Sequence, residues 1–218
     1  MDWLMERLFG WRRNLEDLLY TQSGMALLMV VLFLIGLIFG ALALRSLDST
    51  TRLDLVQALS SSVQLVRGTE AAANGMLLRE ALLRHAQWLG LLWLLAITLI
   101  GALGVMLLTL VRGFISGFVI AFLAAEMGLP GILLAAAGHL PQSLLEVPAI
   151  LLAATASVTF SLQVWGLLRS RRRLREFYDT LADYSGTLFS AGVLLFMASL
   201  VEAYLTPALV RLLFGLVR

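Results

Sequence analysis

Residues 25–44 read MALLMVVLFLIGLIFGALAL, twenty positions without a charge. An α-helix rising about 1.5 Å per residue needs about 20 apolar residues to cross the hydrocarbon core of a bilayer. This stretch has both the length and the composition of a transmembrane helix, and the charge-free run around it covers residues 18–44. The rest of the chain is built the same way. Of its 218 residues 60% are apolar and 14% charged, against roughly 45–50% and about 25% in an ordinary soluble domain. A water-soluble globular enzyme is excluded, and the natural architecture is one polytopic membrane domain.

The residues ahead of the first span mix Asp2, Glu6, Glu16 and Asp17 with Arg7, Arg12 and Arg13. A cleaved signal peptide has a basic start and a short apolar core, so the first span is expected to remain as an anchor behind a cytoplasmic segment 1–24. All sixteen basic residues are Arg, and a net charge of +2 gives no electrostatic footprint for nucleic acid. With no Cys the chain holds no disulfide, thiolate nucleophile or Cys-ligated metal.

An Arg or Asp at mid-bilayer costs about 2.5–3.5 kcal/mol even on the gentlest scale, so charges are read as the ends of spans. Residues 45–85 hold nine charges of both signs. Within them Leu53, Val56, Leu59, Val63 and Val66 recur at helical intervals, the mark of an amphipathic segment in a polar loop. Asn74-Gly75 breaks that pattern, and a second span is expected over 86–111, with Trp88 and Trp93 at its entry. Arg112-Gly113 then marks a tight turn, and 113–128 a helix that barely crosses. The run 130–145, interrupted by His139 and Pro141, follows the Gly-Leu-Pro-Gly of residues 128–131. Residues 147–168 form a further span opened by Pro148 at a first helical turn. A last span over 184–201 continues into a kinked tail past Glu202 and Pro207.

Five of the seven residues 169–175, RSRRRLR, are Arg, and the positive-inside rule places a 169–183 loop in the cytoplasm. With the amino terminus also cytoplasmic, loop 45–85 lies outside and Arg112 inside. An even number of crossings then separates Arg112 from the Arg cluster, which leaves 130–145 as a re-entrant or interfacial element. The expected fold is an all-α helical bundle of about five transmembrane helices plus one short interrupted segment. Six crossings, with the Arg cluster outside, is the rival.

Ionisable groups within membrane segments are functional candidates by default. Here these are Glu126, His139, Glu146 and Glu202, with Arg112 as the nearest cationic partner. His139 and Glu146 share a face if their helix is unbroken. Either each is paired at an interface, or together they form a proton or ion path. Pro141 and Pro148 are expected to hold a backbone break fixed by Glu146, and Gly36 with Gly40 forms a GxxxG pair that admits another helix backbone, a homo-oligomer being one use of it. Neither His stands in an HExxH zinc motif, Ser143 near His139 has no Gly-rich oxyanion partner, and no GxxxxGK[ST] loop is present. No catalytic, cofactor or metal residue is expected, and the chain reads as a non-enzyme.

The stretch LPQSLLEVPAI at 140–150, following RGFISGFVIAFLAAEMGLPG at 112–131, resembles the core of the stage II sporulation protein M family. FLIGLIFGALALRSLD at 33–48 is similar to that family's opening, and the resemblance runs over roughly residues 25–168. It implies an integral membrane component of the engulfment machinery of endospore-forming bacteria. Such a protein has no hydrolase activity of its own and holds stage II sporulation proteins P and D, which cut peptidoglycan, in the septal membrane of the mother cell. Segment 53–66 and the outer element from Pro141 to Pro148 are the expected docking surface, beside the lipid bilayer itself. A small channel or secondary transporter using intramembrane Glu and His is the alternative.

Overall fold

The computed structural model describes residues 23–48, 50–57, 72–98, 100–170 and 174–216, and these are helical almost throughout. Helix α1 is Ser23–Ala43, followed by a 3-10 turn Leu44–Ser46 and a helical segment at 50–57. Then come α2 Ala72–Ile97, α3 Gly101–Met127, α4 Leu129–Ser170 and α5 Leu174–Leu200, with a π-helical turn Val201–Leu205 leading into α6 Thr206–Leu216. Four segments are long and apolar enough to cross a membrane: Ser23–Ser46, Gly101–Met127, Leu129–Leu167 and Phe177–Val210. The all-α membrane bundle expected from the sequence is therefore found.

Directions follow from the contacts. A Cβ placed on Gly36 would overlap the backbone of Leu110 and Phe114, one on Gly40 that of Phe114 and Phe118. Reciprocally, Gly113 and Gly117 lie against Phe33 and Leu37. Both indices increase together, so α1 and α3 run parallel with their glycine pairs face to face, and only glycine permits such backbone approach. Helix α4 runs against α3, since Gly131 packs on the Leu123 carbonyl at one end and Ser161 Oγ lies 3.4 Å from the Thr98 carbonyl at the other. Helix α5 runs against α4, with Tyr184 Oη 3.0 Å from Ser157 Oγ. Helix α2 returns beside α3, its Trp88 ring beneath the Arg112 guanidinium. The bundle thus has five columns: α1, α2, α3, α4, and α5 with α6. Their far end is where α1 and α3 finish, and their near end is where these two begin.

Several internal boundaries differ from the expected ones. Helix α3 passes straight through Arg112-Gly113, and the chain instead breaks between Ile97 and Gly101, dividing the expected span 86–111. There Thr98 Oγ1 bonds the Leu95 carbonyl at 2.7 Å and Gly101 sits against that same residue. Arg112 misled because a charge marks a helix end only when nothing inside the bundle neutralises it, so Arg112 lies at mid-helix rather than on the cytoplasmic side. The short helix expected at 113–128 is the second half of α3. The element 130–145 is no re-entrant segment and 147–168 no separate span: both belong to α4, which holds Pro141 and Pro148 in its interior. An interior proline frees one carbonyl and costs about 3 kcal/mol, a penalty that packing on α3 and α5 outweighs. The polar loop 45–85 is also shorter, because α2 begins at Ala72 and continues through Asn74-Gly75. Likewise α4 extends to Ser170 and α5 starts at Leu174, narrowing the 169–183 loop. The amino-terminal segment to residue 22, positions 58–71 and Arg171 to Arg173 lie outside the described residues.

The core lies toward the near end. Val105 of α3, Ala153, Ala154, Val158 and Phe160 of α4, and Tyr184 and Ala191 of α5 are buried with Leu92 and Ala96 of α2. Alanine and serine dominate the α4 stripe, which lets the helix axes approach where burial from water gives no driving force. The Phe160 and Tyr184 rings stack at 4.6 Å between centroids.

Candidate functional site: a polar centre inside the bundle

Helix α2 places Arg84, His85 and Trp88 on one side within four residues. Unbroken α4 presents His139, Gln142 and Glu146 at spacings of three and four, hence on one face. Helix α3 brings Arg112, and α5 with its π turn brings Ser199 and Glu202. Glu146 is the hub. Its Oε1 accepts from the Arg112 guanidinium and lies 3.3 Å from His85 Nε2; His85 and Glu146 are buried and Arg112 partly so. His85 Nδ1 is 2.8 Å from Ser199 Oγ. Arg84 pairs with Glu202, and the Arg112 guanidinium carbon stands 5.7 Å from the centre of the Trp88 ring. The Arg112–Glu146–His85–Ser199 contacts therefore tie α2, α3 and α4 near the middle of their lengths to the end of α5, with the Arg84–Glu202 pair beside them.

The formal charges of Arg84, Arg112, Glu146 and Glu202 cancel. That is the condition for burying ions, since an unpaired charge in an apolar interior is costly. Ser199 Oγ also lies 2.9 Å from the Leu195 carbonyl. A neutral His85 with its proton on Nε2 donates to Glu146 and accepts the Ser199 hydroxyl on Nδ1. A doubly protonated ring donates on both sides, while Ser199 turns its proton to Leu195. The ring can take up a proton without displacing a heavy atom.

The network is satisfied at its hub and unsatisfied at one edge. Gln142 Oε1, Glu202 Oε2 and Thr206 Oγ1 are buried without a hydrogen-bond partner among the described residues. Leu195 packs with Ala149 and Ile150, and Ser199 meets His85 opposite Glu146. Continuing that antiparallel register brings Gln142 to the level of residues 202–206, on the far-end side of the ion pairs. The π turn in the same wall is a local widening of the helix of a kind frequent at functional sites.

The expected site residues separate into three groups. Arg112 and Glu146 meet directly, and His139, half-buried, lies within the field of Arg112, Glu202 and Arg84. Glu126 is elsewhere: it pairs with Arg52 at the far end, where both side chains touch solvent. Gly36 and Gly40 are occupied by α3 of the same chain, so they form an internal seam rather than a free face. Pro141 and Pro148 flank the Glu146 face inside α4 and make no break; Leu140, Leu144 and Pro148 point outward from the bundle. The 141–148 element is thus at mid-helix and not at an outer end of the bundle. Sequence reasoning missed Arg84, His85, Trp88, Gln142, Ser199 and Thr206 as partners. The only sequence signal for His85 was its place beside Arg84, one turn before Trp88. Among the described residues no group of three or more His, Asp or Glu is placed to hold a metal ion.

Comparison with known proteins adds the family. No curated protein and no solved structure gives a significant match. The profile of the family described as Stage II sporulation protein M matches residues 29–207, from the first apolar helix through the seam, the polar centre and the π turn. The chain therefore belongs to the stage II sporulation protein M family and is a sporulation-related membrane protein.

Proposed function

We propose that this protein is a non-catalytic membrane scaffold of the engulfment machinery, holding the wall-cutting stage II sporulation proteins P and D in the septal membrane of the mother cell. The observation that carries this reading is that the charges inside the bundle are used on one another. Arg112, Glu146, His85 and Ser199 close a network across four helices, in which the Arg112 and Glu146 charges cancel and which leaves no free nucleophile at its hub. The chain enters α1 at the near end after Arg7, Arg12 and Arg13, and α4 ends and α5 begins there around the Arg-rich stretch 169–175, so the positive-inside rule assigns the near end to the cytoplasm. The far end, with the 50–57 segment and the Arg52–Glu126 pair, then faces the wall and offers the docking surface.

Detergent co-purification of the two hydrolases with the intact chain, and with a chain lacking residues 50–57, tests the proposal. Recovery with the first and loss with the second is expected; equal recovery removes the far-end segment, and no recovery with either removes the scaffold. A second reading, a small channel or transporter using intramembrane Glu and His, is favoured by the three unpartnered oxygens beside Glu146. Ion flux through purified protein in liposomes, abolished by Glu146→Gln, would establish it.

A further inference from the structure

The exposure of the polar centre is graded. The Arg84 and Glu202 side chains are 39% and 21% exposed, Arg112 12%, and His85 and Glu146 only 4% each. An ion pair as open as Arg84–Glu202, with Glu202 inside the apolar segment Phe177–Val210 and Arg84 midway along α2, is incompatible with hydrocarbon, which solvates neither charge. The opening it lines must be polar. Beside it Gln142 Oε1, Glu202 Oε2 and Thr206 Oγ1 have no hydrogen-bond partner among the described residues, and two of them can only accept. Pro141 adds to the same wall a carbonyl, that of Ala137, which its missing N–H cannot serve. Such groups call for a small hydrogen-bond donor, and buried water with about three bonds meets that demand. On the other side of Glu146 the character changes at once. Ala149, Ala153, Ala154 and Val158 of α4 pack with Leu195 and Ala191 of α5, fully or nearly fully buried.

We infer that Arg84, Gln142, Glu202 and Thr206 line a water-filled crevice that opens at the far end of the bundle and ends on His85 and Glu146. Its ligand is water, together with protons or solutes small enough to replace a water molecule. It is a half-channel: the alanine and valine layer closes it toward the near end. This goes beyond the scaffold role and does not depend on it.

Because the chain has no native Cys, single thiols report access without background. Thr206→Cys in intact cells and in inverted vesicles should react with a small charged methanethiosulfonate from one side only. That side should be the one from which Asp54→Cys, an exposed marker of the far end, also reacts. Ser157→Cys, in the closed layer, should react from neither. Labelling of Thr206→Cys from both sides, or from neither, overturns the half-channel. Hydrogen exchange on the unmodified protein in nanodiscs guards against a variant that misfolds. Amides of 199–206 should exchange roughly tenfold faster than those of 150–160, and equal protection of the two segments overturns the inference as well.

Discussion

Replacing Glu146 by leucine should destabilise the bundle by about 3–5 kcal/mol, the usual cost of removing one partner from a buried ion pair. The structure sets where in that range the loss falls. Glu146 serves two partners, Arg112 and His85, so its removal strands a largely buried guanidinium and a buried imidazole together. Against this, Arg112 keeps the Trp88 ring, a contact worth about 0.5–2 kcal/mol. The net expectation is therefore the lower part of that range, about 3–4 kcal/mol. Arg112→Met alone should cost somewhat less, because Glu146 retains His85 as a hydrogen-bond donor at 3.3 Å. The double variant Arg112→Met with Glu146→Leu removes both charges and fills the space with side chains of similar length, which is often neutral or stabilising. Reversible unfolding in mixed micelles, followed by tryptophan fluorescence, measures all three. A Glu146→Leu loss below about 1 kcal/mol, or a double variant as unstable as the summed singles, would show that the network does not hold the helices.

Three further outcomes follow from other parts of the fold. Gly113→Leu should be strongly destabilising, beyond the typical 1–3 kcal/mol of overpacking, since the new atoms meet the Phe33 carbonyl and not a movable side chain; a thermal melt of the purified variant checks it. Gly128→Ala should cost about 1–2 kcal/mol, because Gly128 has φ of 60° at the α3–α4 junction, whereas Gly90→Ala, at an open helical position, should be neutral or slightly stabilising in the same melt. Arg172→Cys should be labelled by an impermeant thiol reagent only in inverted vesicles, and labelling of intact cells would reverse the orientation assigned to the near end.

The membrane bundle was legible because its solvent imposes a coarse rule, long apolar stretches between charges, and residues 25–44 obey it without ambiguity. The family was legible from LPQSLLEVPAI and its neighbours. What failed was the converse rule that every charge marks an end. Arg112 is tolerated at mid-helix because Glu146, 34 positions later, and Trp88, 24 earlier, stand beside it, and neither proximity is written in local periodicity. The same holds for Pro141 and Pro148: proline predicts a break only where the freed carbonyl and bent axis have no tertiary support. Glu146 stands out in the sequence as an intramembrane ionisable group, but its partners Arg112 and His85 come from two other helices and local spacing does not show them. His85 looked like the last residue of a polar loop because the sequence does not show that α2 carries it inside.

The glycine seam has a consequence for the order in which the molecule is made. Gly36 meets a strand of backbone synthesised about 75 residues later, near Leu110 and Phe114. At roughly 5–20 residues per second, α1 waits in the lipid for about 4–15 seconds before α3 emerges. During that interval its small-residue groove is open to any helix nearby, and afterwards it is sealed by its own chain. A neighbouring anchor that binds this groove would have to arrive on the ribosome's timescale, and an overabundant one would act as an assembly poison rather than a ligand of the finished bundle.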